Sequence, residues 1–367
     1  MKPSLRFLAL LPFLQIAMAG EQWTPEQAAD WNKTQPWRAG ANFTPGSAIN
    51  QLEMWQAETF DPATIDRELG YAQTAGINIV RVFLHNLLWE QDSAGLLTRM
   101  DQFLTIADKH HIGVMFVLFD DVWDPQPQLG PQRAPRPHVH NSGWVQSPGR
   151  EVLMSAEKRA ALEPYVKGVL TRFKDDKRVV VWDLYNEPGN GNTNAYGRWE
   201  LKDKPKFSLE LVKSAFQWAW EVRPSQPLTM GVWTGDWTDP AKLSDLNAYQ
   251  LNHSDIVTFH MYADLPKTKS VTEALFRYQR PVICTEYLAR PAGSLLQEIL
   301  PYFKERHVGA IQWGLVAGKT QTQYAWESWE KPLDEEPKVW FHELFHPDGK
   351  PYDQQEVDLY RKLTSAP

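Results

Sequence analysis

The stretch Arg178-Val-Val-Val-Trp-Asp-Leu-Tyr-Asn-Glu-Pro188 decides the fold that this sequence predicts. Its apolar, β-branched run predicts a buried strand, and Pro188 ends the strand because proline has no amide hydrogen for a β-ladder. Side chains alternate between the two faces of a strand. The face expected to pack on surrounding helices carries Val180, Trp182 and Leu184. The face expected to point toward a barrel axis carries Asp183, Tyr185 and Glu187.

The same kind of run recurs along the chain and alternates with helical patterns. The predicted strands are 37–43, 77–83, 112–119, 178–185, 227–232, 256–260, 281–285 and 308–313. Helical periodicity lies between them at 62–75, 96–111, 150–173, 208–222 and 294–306. Strands that alternate with helices predict parallel βαβ units, and a run of such units predicts a single-domain α/β protein with a (β/α)8 TIM barrel. An open doubly wound sheet is the alternative, but the first turn at 40–46 lacks its glycine pattern.

The N-terminal segment predicts a signal peptide at 1–19. Lys2 and Arg6 precede a short apolar run, and the small residues around 17–19 form a cleavage pattern. We therefore expect one catalytic domain at 20–367 and a secreted or periplasmic protein without a lipid-attachment cysteine. An N-terminal membrane anchor is the alternative. No later segment has 18 uninterrupted apolar residues, so no membrane partner is expected after cleavage.

The net charge and the cysteine content argue against several kinds of partner and cross-link. The formal net charge of −7 argues against nucleic acid as a partner, because phosphate binding needs a basic surface. Cys284 is the only cysteine, so no intramolecular disulfide is possible. No spacing of ligand residues indicates a metal, no cofactor is expected, and the oligomeric state stays open.

Two predicted strands end in a glutamate. Glu187 follows 178–185 and Glu286 follows 281–285. In a barrel, chemistry sits where strands end and loops begin. Cleavage of a glycosidic bond with retention needs two carboxyl groups about 5–5.5 Å apart, and these two are expected to face each other across the barrel mouth.

Asn186-Glu187-Pro188 and Thr285-Glu286-Tyr287 resemble the clan A glycoside hydrolases, and most closely the cellulase-like family 5. The resemblance covers about residues 36–315. It implies a retaining β-glycoside hydrolase with a carbohydrate partner, in which Glu187 is the acid/base and Glu286 the nucleophile. The substrate class that it implies is β-1,4-linked glucan, mannan or xylan, while a smaller oligosaccharide or glycan stays open.

Other positions match the family in order. The resemblance implies that Arg81 is its strand-2 arginine and that Asn186 holds the sugar 2-hydroxyl. It implies further that His260 and Tyr262 are the strand-6 pair, and that Trp313 is the strand-8 aromatic platform. The family usually has a histidine after strand 3, where this chain has Asp120-Asp121-Val122-Trp123. The predicted substrate-binding set is completed by Asp120, Asp121, Trp123 and Trp233.

The expected roles set requirements on two pKa values. Glu187 must hold a proton near neutral pH, and burial beside a second carboxylate raises its pKa. Glu286 must be ionised, and we expect Arg81 and a hydrogen bond from Tyr262 to favour that charge. A purely structural ion pair is the alternative role for Arg81.

Aromatic residues and long loops are expected to shape the cleft. Apolar faces of sugar rings pack on aromatic planes, and we expect fewer than half of the loop candidates to do so. These candidates are Trp89, Trp123, Trp144, Trp233, Trp237, Tyr324, Trp326 and Trp329. The loops 124–149 and 314–337 are expected to form walls. The first wall carries His138, His140, Asn141 and Trp144 and would help to replace the missing histidine. Walls that close one end would make the enzyme exo-acting.

Rival functions remain. His342-Glu343-Leu344-Phe345-His346 matches the zinc-protease pattern, but Pro347-Asp348-Gly349 leaves its helix no room to continue. The sequence also leaves open an exo-acting β-glycosidase, a transglycosylase on a small glycan, and a non-catalytic carbohydrate-binding barrel.

Overall fold

A computed structural model describes residues 21–365, so the predicted signal peptide at 1–19 lies outside the described residues. The strands of residues 21–365 are β1 (Ala39–Asn42), β2 (Ile79–Phe83), β3 (Gly113–Asp120), β4 (Val179–Asn186), β5 (Leu228–Thr229), β6 (Val257–His260), β7 (Val282–Glu286) and β8 (Gly309–Gln312). They form one sheet in the order β5-β4-β3-β2-β1-β8-β7-β6, with parallel neighbours. A parallel bridge between Val232 and Phe259 joins the two edges. The predicted (β/α)8 barrel is therefore confirmed.

Helices surround the sheet. They are α1 (Pro25–Lys33), α2 (Gln51–Trp55), α3 (Pro62–Ala75), α4 (Asn86–Lys109), α5 (Arg150–Met154), α6 (Ala156–Ala160), α7 (Glu163–Phe173), α8 (Lys204–Val222), α9 (Asp245–His253), α10 (Leu265–Leu275), α11 (Leu296–Glu305) and α12 (Gln354–Ser365). None in the described part of the chain is long and apolar enough to cross a membrane.

The helix predicted at 150–173 is wrong as a single element, because it is divided into α5, α6 and α7. Ser155 has extended backbone and caps α6 with its hydroxyl, which interrupts the helix. Pro164 lies in the first turn of α7, where its missing amide hydrogen costs no hydrogen bond. The prediction at 62–75 matches α3, which begins at the cap Asp61 and ends at Gly76 in the left-handed region.

The alternation predicted for β4 is wrong at two residues. The register between β3 and β4 shifts between Val114 and Met115, so Val180 is an extra residue and joins the cluster inside the barrel. Tyr185 packs edge-on against Phe119 and belongs to the outer core rather than to the barrel axis. A strand with such irregularities does not keep strict alternation.

One end of the barrel is closed by apolar packing. The inner cluster consists of Ile79, Met115, Val180, Val181, Ile256, Ile283 and Ile311. Trp31 of α1 packs against it, so α1 covers the end where the strands begin. The opposite end, where the strands finish, is left for the polar side chains.

A buried ion pair attaches the last helix to the barrel. The guanidinium of Arg290, in the turn after β7, donates to both carboxylate oxygens of Glu356 on α12, at 3.0 and 2.5 Å. Arg290 also donates to the carbonyl groups of Trp340, His342 and Glu343. It thereby fixes both α12 and the segment 340–343.

We predict that Glu356→Gln lowers the free energy of unfolding by about 3 kcal/mol, because it leaves a buried guanidinium without its counter-charge. The matched control is Asp358→Asn on the same helix, whose exposed pair with Arg361 should change stability by less than about 1 kcal/mol. Urea unfolding of both variants measures the difference. Equal losses in the two variants would contradict the role given to Glu356.

Candidate active site

A cavity of about 520 Å3 opens where the strands finish. Most of the predicted site residues line it, namely Asn186, Glu187, His260, Tyr262, Glu286, Trp313, Trp123 and Trp233. Its volume lies within the range typical of small-molecule sites. The structure thus brings strand ends from β3 to β8 together around one space.

Glu187 and Glu286 face each other in this cavity. Glu286 is the last residue of β7, and Glu187 follows β4 with φ of 44°, in the left-handed region. A carboxylate oxygen of each lies within 4.8 Å of the other. This separation is close to the spacing that a retaining glycosidase requires.

Each oxygen of the two carboxylates has a partner from the protein. Glu187 lies 2.8 Å from Nδ1 of His260 and accepts a hydrogen bond of 2.7 Å from Asn190. Glu286 accepts hydrogen bonds from Arg81 at 3.0 Å and from the Tyr262 hydroxyl at 2.8 Å. His260 also lies 3.4 Å from Glu286, so its ring stands between the two glutamates.

Arg81 lies below the cavity rather than in its lining, because its side chain points into the barrel from the middle of β2. It is fully buried and donates to Asp183 at 2.8 and 3.0 Å. It also donates to Asn42 at 2.9 Å and to Asn186 at 2.7 Å. Arg81 therefore joins residues of β1, β4 and β7 and holds Glu286 from beneath.

Burial dominates the electrostatics of the pair. It raises the pKa of Glu187 to about 7. It also raises the pKa of Glu286 to about 7, against the opposing effects of the Arg81 charge and of the hydrogen bond from Tyr262. Burial lowers the pKa of His260 to about 4, so this ring is neutral near pH 7. The pair therefore retains protons at a pH where exposed carboxyl groups have lost theirs.

Comparison with known proteins agrees with this geometry. The model of the family Cellulase (glycosyl hydrolase family 5) matches residues 40–317. The chain belongs to glycosyl hydrolase family 5.

Relatives of this family 5 chain are distant. A probable mannan endo-1,4-beta-mannosidase A of Aspergillus niger is 23% identical over 153 residues, which span 36% of this chain and 38% of that protein. An exo-beta-1,4-mannosidase from Opitutaceae bacterium strain TAV5 has a TM-score of 0.57 at 17% identity, covering 90% of this chain and 59% of that one. A GH5_18 variant from Streptomyces cattleya in complex with Manb1-4GlcNAc has a TM-score of 0.56 at 11% identity, covering 90% and 80%. These structures share the fold.

The aspartates predicted to bind substrate do not line the cavity of the family 5 barrel. Asp120 accepts hydrogen bonds from Asn186 at 2.9 Å and from the Trp144 indole at 2.6 Å, so it holds cavity residues from behind. Asp121 points toward the outer layer, where it accepts from Tyr185 and from Ser208 of α8. Because both carboxylates are buried among protein donors, each supports the site instead of reaching its space.

Three of the eight aromatic candidates line the cavity, namely Trp123, Trp233 and Trp326. The other five candidates do not line this cavity. Trp144 and Trp237 are almost fully buried, and Trp89 packs on Tyr165 of α7. Trp329 stacks on Trp123 from behind at 5.6 Å, and the carbonyl of Tyr324 accepts from His140.

Sequence reasoning missed part of the lining. The segment 190–194, Asn-Gly-Asn-Thr-Asn, forms one wall, and His342 forms part of another. The run of asparagine and glycine directly after Glu187-Pro188 was a usable signal, since such residues build turns through local hydrogen bonds. The loop 124–149, by contrast, was expected to form a wall of the cleft, and its His140 and Asn141 line the cavity whereas His138 does not.

The zinc-protease pattern has no helix. Residues 342–346 lie outside every helix of the described chain, and Glu343 has φ of 53°. The one group of described residues that could hold a metal ion is Glu187, His260 and Glu286. Its carboxylate oxygens are already engaged by the partners named above, and Arg81 brings a positive charge to the same place.

We predict that Glu187→Gln stabilises the protein at about pH 8 and not at about pH 5. The pKa of Glu187 rises from 4.5 to about 7 on folding, so the stability that its proton contributes is complete below 4.5 and is lost as the pH rises through 7. The amide does not titrate, so the variant escapes this loss.

Thermal unfolding at both pH values measures the effect, and we expect a gain of about 2–4 °C at the higher pH. Glu305→Gln, at an exposed position of α11, is the matched control. A gain that is equal at the two pH values would contradict the shift in pKa.

Proposed function

We propose that this chain is a retaining β-glycoside hydrolase in which Glu187 is the general acid/base and Glu286 the nucleophile. The observation that carries the proposal is the approach of the two carboxylates within 4.8 Å across one cavity, each with different partners. A non-catalytic carbohydrate-binding barrel has no need to bury two acidic groups together at this cost.

In the first step, protonated Glu187 gives its proton to the glycosidic oxygen while Glu286 attacks the anomeric carbon. The bond to the leaving sugar breaks and an ester to Glu286 forms. In the second step, ionised Glu187 takes a proton from water, the oxygen of that water attacks the anomeric carbon, and Glu286 leaves as a carboxylate. Loss of the charge on Glu286 in the ester lowers the pKa of Glu187, which suits its change from acid to base.

Neighbouring residues prepare this chemistry. Arg81 and Tyr262 each donate a hydrogen bond to Glu286 and so favour its charged form. Asn186 accepts from Arg81 and donates to Asp120, which fixes its amide and leaves one amide hydrogen for the sugar 2-hydroxyl. Trp313, Trp233 and Trp123 offer aromatic planes for sugar rings.

The proposed substrate class is β-1,4-linked mannosides. Support comes from two relatives, a probable mannan endo-1,4-beta-mannosidase and an exo-beta-1,4-mannosidase, and from the Manb1-4GlcNAc bound to a third. We propose further that cleavage after Ala19 delivers the domain 20–367 to the periplasm or the exterior. Carbohydrate outside the cell is the substrate that such a location supplies.

We predict that Glu286→Ala lowers kcat/KM on aryl β-mannosides by at least about 10^4-fold and Glu187→Ala by about 10^2–10^4-fold. Azide should restore turnover in both variants. The product from Glu286→Ala should be inverted, because azide replaces the missing carboxylate and attacks the anomeric carbon in a single displacement. Glu305→Ala should keep wild-type rates. If the two variants stay as active as the wild type on a substrate that it cleaves, the assignment is wrong.

We also predict a bell-shaped pH profile of kcat/KM whose alkaline limb lies near pH 7, where burial places the pKa of Glu187. Although burial raises the pKa of Glu286, the hydrogen bond from Tyr262 lowers it. Tyr262→Phe should therefore move the acid limb to higher pH and leave the alkaline limb in place. A shift of the alkaline limb alone would contradict the assignment of the two glutamates.

A further inference from the structure

Two loops meet over the barrel mouth. The loop 124–149 follows β3 and the loop 314–337 follows β8, and we call their contact the mouth bridge. The amide of Asn141 donates to the carbonyl of Thr320 at 2.7 Å, and the amide of His140 donates to the Ser328 hydroxyl at 2.9 Å. The amide of His138 donates to Gln321 at 2.8 Å. These bonds join segments about 180 residues apart in the chain.

Ring stacking strengthens the mouth bridge. Trp123 and Trp329 stack with ring centroids 5.6 Å apart and an interplanar angle of 27°. The guanidinium carbon of Arg136 lies 5.0 Å from the centroid of the Trp329 ring. Trp123 also lines the cavity, as do His140 and Asn141, so the bridge forms a wall of the site.

The mouth bridge crosses the strands β2 and β1, which lie between β3 and β8 in the sheet. Protein fills the space beneath it. Asn50 donates to the carbonyl of Gly143 at 2.8 Å, and Lys319 reaches Glu53 of α2 at 2.6 Å. The segment after β1 therefore contacts both of the loops that form the mouth bridge.

The cavity ends at this side. Its lining residues follow β3 through β8, and none comes from the loops after β1 and β2. Behind Trp313, toward β1 and β2, only about 20 Å3 remains, enclosed by Asn42, Phe83 and Trp144. That space has room for a single water molecule and for no sugar ring.

We propose that the mouth bridge turns the cleft into a pocket that admits one end of a glycan, so that the enzyme is exo-acting and removes one terminal sugar at a time. This inference rests on the proposed function. An enzyme that cleaves within a polymer needs a cleft open at both ends, because the chain must continue beyond the site. The closed side under the bridge leaves no such exit.

An acceptor for a chain end lies next to the mouth bridge, where the ring centroid of His342 is 5.5 Å from that of His140. His342 lines the cavity, and its Nε2 is buried without a partner while Nδ1 donates to the carbonyl of Leu288. Burial holds the pKa of His342 well below its usual value, so Nε2 is an acceptor. The His342 ring lies 5.5 Å from the Tyr262 ring, beside the nucleophile. A terminal sugar has a free hydroxyl to donate where an internal sugar has a glycosidic oxygen.

The first test is product analysis of the full-length protein on reduced β-1,4-linked mannohexaose, after activity on an aryl β-mannoside has been established. We expect mannose as the only early product besides the shortened chain, and little loss of viscosity with polymeric mannan. Early release of di- and trisaccharides would overturn the exo proposal while leaving the hydrolase assignment intact. Absence of hydrolysis of every aryl β-glycoside would instead overturn the proposed function.

The second test opens the mouth bridge. The double variant Gln321→Ala with Ser328→Ala removes the hydrogen bonds of the Gln321 side chain to His138 and Arg136. It also removes the Ser328 hydroxyl that accepts a hydrogen bond from the amide of His140. The matched control is Ser214→Ala with Gln217→Ala, on the solvent side of α8. We expect the bridge variant to release longer products about tenfold more often than the control, because excluded chain positions become accessible. Equal product patterns in variant and control would show that the bridge does not confine the substrate.

Discussion

The buried guanidinium of Arg81 is the interaction on which the site depends. A cation without solvent is tolerated only when carboxylates and hydrogen-bond acceptors surround it, and Arg81 has Asp183, Glu286, Asn42 and Asn186. These partners come from β1, β4 and β7, so the charge that needs compensation also fixes the relative position of the strands that end in Glu187 and Glu286. Below this layer the barrel is apolar, and above it lies the cavity.

The charge balance of this layer explains the state of the glutamates. Arg81 binds Asp183 with two hydrogen bonds and Glu286 with one, so its positive charge is shared. Arg81 and the Tyr262 hydroxyl favour the charged form of Glu286, as expected, but burial outweighs them and raises its pKa. Arg81 is one cation among three carboxylates, those of Asp183, Glu187 and Glu286. A proton shared by Glu187 and Glu286 therefore lowers the electrostatic cost of burying them together. A pair that holds one proton near neutral pH is the state that acid and nucleophile require.

The sequence predicted the barrel and the meeting of Glu187, Glu286, His260 and Tyr262, because apolar runs mark strands and strand ends of a parallel barrel share one mouth. It did not predict which side of a strand each residue takes where the register shifts. Val180 shows this limit, since it is an extra residue of β4 inside the barrel while Trp182 and Leu184 keep the predicted outer face. Tyr185 and Asp121, at the ends of β4 and β3, lie on the outer side instead of the predicted one. A polar residue after a strand either lines a site or supports it, and for Asp120 only the positions of Asn186 and Trp144 distinguish the two roles.

The loops were the least predictable part, and they carry the selectivity that we propose. Each hydrogen bond of the mouth bridge uses a backbone amide or carbonyl on at least one side, as between Asn141 and Thr320 or between His140 and Ser328, and a backbone group leaves no pattern in the sequence. Whether two loops meet also depends on the number of strands between them, which is a property of the closed sheet. The strand ends thus determine the reaction, because they place the charges. The connections over β1 and β2 determine which part of a glycan can reach those charges, because they decide where the cavity stops.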